Sequence, residues 1–155
     1  MKRTAIVFSL IVLAACSGGP QSGTTSVPGR GALEVQVDPN PIRATQVSGS
    51  MYEFPFEVVV RETGGRPVNI TSVTATVHGP GGFVVGRDSW DAGRIRALGY
   101  PTTIPANGQL RYRFAPRKEV PDERLFGSVS AQLTVEGSDD GNTPASASTV
   151  VTITR

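Results

Sequence analysis

Residues 52–61 read Tyr-Glu-Phe-Pro-Phe-Glu-Val-Val-Val-Arg. Tyr52, Phe54, Phe56, Val58 and Val60 recur at every second position, with Glu53, Glu57 and Arg61 in the places between. A period of two sends successive side chains to opposite faces of an extended chain. The stretch therefore predicts a strand with one buried and one wet face. Pro55 falls on the wet set. It has no N–H to give to a ladder, so it marks a bulge or a sheet edge.

The alternation spreads in both directions. Upstream, Leu33, Val35 and Val37 alternate with Glu34, Gln36 and Asp38, and Asp38-Pro39-Asn40-Pro41 breaks the run. Downstream, Gly64-Gly65 reads as a hairpin-like turn into a strand over Val68–His78. In that strand Val68 and Ile70 hold one phase and Val73, Ala75 and Val77 the other. A bulge near Thr71-Ser72 reconciles them. Gly79-Pro80-Gly81-Gly82 ends it, and Phe83-Val84-Val85 is a short strand candidate. Residues 87–106 lose the alternation and read as a long connection, with a helical turn near residues 92–98. Asn107-Gly108 is a turn signal before Leu110, Tyr112 and Phe114. Val129, Ala131, Leu133 and Val135 alternate again. Ser138-Asp139-Asp140-Gly141-Asn142 is a turn, and Thr149–Thr154 a last strand.

Seven strands, few helix signals and many Gly/Pro turns predict an all-β domain over residues 32–155. Two antiparallel sheets packed face to face bury one side of every strand. This seven-stranded antiparallel β-sandwich resembles the immunoglobulin and fibronectin type III domains in strand number and alternation. The chain has one cysteine, at position 16, so the immunoglobulin disulfide is excluded and the resemblance falls on the fibronectin side. A resemblance of this kind concerns the fold and carries no functional residues.

The first residues follow a different logic. Lys2 and Arg3 precede an apolar run, Ala5–Val12. That run is shorter than the roughly 20 residues a bilayer-spanning helix needs, so residues 1–15 read as a signal peptide. Leu13-Ala14-Ala15-Cys16 resembles the lipobox of bacterial lipoproteins. The resemblance implies cleavage before Cys16, diacylation of its thiol and often acylation, such as by palmitate, of the new amino group. Two or more chains make a stable anchor where one is marginal. By likeness to enterobacterial sorting, Ser17 implies the outer membrane, facing the periplasm or the cell surface. Residues 16–31 then form the lipidated cysteine and a flexible Ser/Gly/Thr/Pro linker, with a reach of roughly 20 Å.

Of 15 basic residues, two leave with the signal peptide, and the 13 remaining balance 13 acidic ones. A near-neutral mature chain argues against nucleic acid as a partner. With its thiol acylated, it has no cysteine nucleophile and no thiolate metal site.

The chemistry-bearing residues are sparse. His78 is the lone histidine, on the polar set of its strand, and is either a general base or a solvated strand-end residue. Asp139-Asp140-Gly141-Asn142, joined by Asp38 or Asp122, is a conceivable calcium site, yet the same residues are what a hairpin turn demands. Asp88 and Asp91 flank Trp90, an arrangement that suits either a carboxylate pair or solvating charge. Gly79-Pro80-Gly81-Gly82 and Pro101-Thr102-Thr103 resemble the loops of chagasin-type inhibitors of cysteine proteases, in reversed order.

These residues predict a non-catalytic binding or scaffolding domain without cofactor or metal, held at the envelope by its membrane anchor and facing an envelope protein or glycan. The expected recognition surface is the long connection, with Trp90 and Tyr100 as aromatics and Arg94 and Arg96 as charges; Trp90 serves alternatively as a core plug. The alternatives are a carbohydrate- or peptide-binding module using that loop, and a protease inhibitor.

Overall fold

The structure, a computed structural model, describes residues 29–126 and 128–155. The expected signal peptide, the expected lipidation site at Cys16 and nearly all of the linker lie outside the described residues.

The protein is an all-β sandwich. The first sheet is antiparallel, in the order β1 (Leu33–Asp38), β5 (Phe56–Glu62), β9 (Gln109–Phe114). The second runs β12 (Pro144–Thr154), β11 (Ser130–Asp139), β6 (Val68–His78), β7 (Val84–Asp91), all antiparallel. In immunoglobulin lettering this is A-B-E against G-F-C-C′. Six of these match expected strands and the seventh, β7, extends the short strand expected at residues 83–85 to Asp91; the described residues contain twelve in all. The five extra strands are short. β2 (Ile42–Arg43) pairs in parallel with β12, and β8 (Thr103–Ile104) pairs with the start of β6. The others, β3 (Thr45–Ser48), β4 (Met51–Glu53) and β10 (Arg117–Glu119), form a small sheet of their own.

The alternation over residues 52–60 survives with one change. Tyr52, Phe56, Val58 and Val60 are buried, but Phe54-Pro55 divides the run into β4 and β5, which belong to different sheets. Pro55 is exposed at that break, consistent with its missing N–H. The bulge in β6 is also present. Glu136 faces Ser72 and Gly137 faces Ile70, so Thr71 has no partner of its own. That one extra residue lets Val68, Ile70, Val73 and Ala75 all turn inward. Gly64-Gly65 is corrected from a hairpin to a crossover, because β5 and β6 lie in opposite sheets.

The central core joins Leu33, Val35, Val58 and Val60 of the first sheet to Val73, Trp90, Leu133 and Val151 of the second. Every residue of this cluster lies between Leu33 and Ile153. A chain that starts at residue 29 thus keeps this described core whole, and is expected to fold on its own.

The end where residue 31 enters is tied by two buried carboxylates. Glu62, 1% exposed, accepts backbone N–H bonds from Ala32 (3.2 Å), Gly64 (2.6 Å), Gly65 (3.0 Å) and Asn107 (2.8 Å). Burial works against its charge, but the four donors outweigh it and hold the carboxyl below the usual range. Asp139 accepts from Thr143 (2.8 Å), Gly141 (2.9 Å) and Gly31 (3.1 Å). The Thr143 and Gly31 amides lead in holding its carboxyl low. Asp139 acts as the turn residue the sequence marks, whereas nothing in the sequence marks Glu62 beyond its keeping the inward parity of Phe56, Val58 and Val60.

Candidate functional site

The expected recognition surface does not form. Residues 84–91 are strand β7, and the helical turn expected near 92–98 is α1 (Ala92–Ala97), started by Asp91, whose side chain accepts from the Arg94 amide at 2.8 Å. Trp90 therefore sits in a strand opposite Val73 and is 4% exposed. Its ring stacks on Phe114 at 4.1 Å and meets Phe56 edge-on at 6.3 Å. Of the two alternatives, the structure gives the core plug. The sequence marks only residues 83–85 of this strand, because Gly86-Arg87-Asp88-Ser89 lacks apolar alternation, as an edge strand can.

Tyr100 is half-buried, edge-on to Tyr112 at 5.7 Å, and its hydroxyl accepts from the Arg113 amide at 3.3 Å. Arg94 lies over the Trp90 ring at 5.6 Å and donates to the Ser89 carbonyl at 3.0 Å. Arg96 is exposed. The structure thus brings Arg94 to Trp90, but it leaves no open platform shared by Trp90 and Tyr100.

The other candidates are also dispersed. His78 Nδ1 lies 3.1 Å from the Gly82 carbonyl within its turn. Asp139 is committed to backbone amides, and Asp140 pairs with Arg66 at 2.8 Å. Among the described residues, no three His, Cys, Asp or Glu side chains gather as a metal site. Asp91 caps α1, whereas Asp88 pairs with Lys118 at 2.8 Å. The turn at Gly79–Gly82 follows His78, while Thr103 pairs with Asn69. Nine residue steps of strand, roughly 30 Å, separate the two chagasin-like strings, so they do not form one inhibitory edge.

The feature the sequence did not reveal is a cleft at the far end of the sandwich from residue 31. Its origin is a mismatch in strand length. β6, β11 and β12 run 11, 10 and 11 residues, but β1, β5 and β9 only 6, 7 and 6. At about 3.3 Å per residue, the inner face of the second sheet continues roughly 15 Å past the first. Ala75, Val77, Ala131 and Ile153 lie on that uncovered stretch. Residues 116–126, with β10 and a short 3-10 turn (Glu123–Leu125), roof it over without filling it.

The resulting cleft holds about 400 Å³, with walls from Phe54, Phe56, Val85, Phe126 and Leu133 among others. That is within the range of small-molecule sites, which are commonly apolar with a few polar groups at the opening. The Lys118–Asp88 ion pair spans it, from the roof to β7. The roof has further ties. Arg117 reaches Glu53 at 3.4 Å, and Ser50 donates to Glu119 at 2.9 Å. Tyr52 donates to Glu123, which also pairs with Arg155. The hydrogen bond to Glu123 pushes the Tyr52 phenol up from its ordinary value. Val85, more than half exposed, lines the cleft, and the exposed Phe83 and Val84 precede it in the chain, so residues 83–85 make an apolar lip that reaches the cleft at Val85.

No protein family matches the chain, and no curated protein sequence does. Solved structures do resemble it. A putative ApaA protein from Bordetella pertussis superposes with a TM-score of 0.57 at 15% identity, over 83% of this chain and 99% of that one. The structural-genomics target SoR45 gives a TM-score of 0.55 at 11% identity, over 79% and 86%. At these identities the likeness is one of fold alone.

Proposed function

We propose that this chain is a lipid-anchored, non-catalytic binding module of the bacterial envelope, and that the apolar cleft is where it binds. The observation that carries the binding role is the cleft itself: a roofed space of about 400 Å³ whose mouth is bounded by an ion pair and an exposed apolar lip. A sandwich that needed only to be a spacer gains nothing from an unfilled space against its core, because the walls of such a space lose packing contacts.

The anchor rests on Leu13-Ala14-Ala15-Cys16. The linker joins the domain at Gly31, beside Asp139, and the cleft lies at the other end of the strands. A domain tethered through Cys16 would then leave the cleft end free of the linker's attachment point. Cys16→Ser should leave an uncleaved precursor that takes up no labelled fatty acid, and normal processing of that variant would refute the anchor. For the cleft, the chain from residue 29 should bind the apolar dye anilinonaphthalene sulfonate saturably in its folded state. Val85→Arg should abolish that signal without moving the melting curve. A folded domain that leaves the dye dark would remove the binding role.

A further inference from the structure

We infer that the cleft takes the unbranched acyl chain of a single-chain lipid, leaving its polar head at the Lys118–Asp88 pair. This rests on the reading of the cleft as a binding site and names the ligand's chemistry.

The lining decides between apolar and polar occupants. Ile42, Phe54, Phe56, Val77, Leu133 and Ile153 supply apolar surface from five directions in the chain. Of the charged residues at the opening, Lys118 and Asp88 are paired and Glu119 accepts from the Ser50 hydroxyl. Arg87 follows the outward parity of β7, opposite Thr76. Among the described residues, every buried side-chain polar atom already has a hydrogen-bond partner. A sugar or a peptide backbone entering this space would exchange its hydrogen bonds to water for contact with mostly apolar walls, the polar partners being confined to Arg87, Asp88, Lys118 and Glu119. A hydrocarbon chain gives up nothing and removes apolar surface from water.

Size points to one chain. A methylene takes about the volume of a water molecule, roughly 30 Å³, so about 400 Å³ accommodates on the order of a dozen carbons. Two chains of a membrane phospholipid would not fit together. Val85 and the part-exposed Leu125 carry the apolar lining to the surface, and the exposed Phe83 and Val84 adjoin Val85 in the chain. A chain longer than the cleft would lie across these residues.

The shared chemistry, a single acyl chain, can come from a free fatty acid or from a lysophospholipid. Calorimetric titration of the chain from residue 29 tests both. A series of straight-chain fatty acids and matching lysophospholipids is used, each below its micelle concentration. Each added methylene should tighten binding about fourfold, up to about a dozen carbons, and then the affinity should level off. Equal plateaus for the two head groups support the acyl chain as the recognised part; binding of only one assigns the source and still supports it. Ala131→Phe, which fills the floor, should move the plateau to shorter chains. Should that variant fail to fold, Val85→Arg on the exposed lip should weaken every member at least tenfold and leave the melting curve in place. An affinity indifferent to chain length would overturn the inference, as would binding to diacyl vesicles alone. Silence from both amphiphiles while the dye still binds would overturn the acyl assignment and leave the cleft as a site. Silence from dye and amphiphiles together would remove the site as well.

Discussion

Trp90 lies on Phe114 with the Arg94 guanidinium 5.6 Å from the centre of its ring, and this fixes what its loss should do. Trp90→Ala should cost roughly 3–5 kcal/mol, the range for emptying a large aromatic site in a core. Chemical denaturation measures it, and an unchanged midpoint would mean that the ring is not packed as described. As the chain's only tryptophan, it should emit blue-shifted, quencher-protected light. Glu62 makes a second prediction. Its folded-state carboxyl is held below the ordinary value, so its stabilising contribution is complete above the unfolded pKa and is lost as pH falls through the folded one. Asp139 shifts the same way. Stability should therefore be level near neutrality and decline through the acidic carboxylate range. Glu62→Gln should flatten that decline and lower stability at neutral pH, read from melting curves across pH. Hidden in the sequence was the reason Glu62 points inward. A carboxylate on the apolar parity reads as an exception, and only the glycines at 64 and 65 hint at backbone donors that would satisfy it.

At the scale of elements, alternation was a good guide wherever a strand has one face on the core. It placed β1, β5, β6, β9 and β11, and even the bulge that Thr71 makes. It failed at β7, where Gly86–Ser89 lie on an edge and the inward positions are Gly and Asp. It was also silent on the crossing between sheets at Gly64-Gly65, since a turn residue reports a bend and not which strand follows as a partner. Two variants probe the registers. Phe56→Ala should cost roughly 3–5 kcal/mol. Glu57→Ala removes only contacts to the exposed Arg111 and Arg113 and should leave the denaturation midpoint nearly in place. If the two midpoints move together, the register of β5 is wrong. Deleting Thr71 should be far worse. Without the extra residue, Val68 and Ile70 can no longer share the inner face with Val73, so the variant should be insoluble or unfolded by circular dichroism.

For the whole molecule, the cleft arises from differences that no single segment contains. It needs long strands in one sheet, short ones in the other, and a roof drawn from residues 116–126 that the sequence offers only as a charged, proline-bounded loop. The opposite end, where residue 31 enters, is closed by Glu62 and Asp139, so one end of the sandwich is tied by buried carboxylates and the other is left open. Amide chemical shifts of the chain from residue 29, recorded with and without the apolar dye, show directly which end is the working one. Perturbations gathered on Ala75, Val77, Phe126, Ala131 and Leu133 are the predicted result. Shifts centred on residues 92–102, or none at saturating dye, would contradict it.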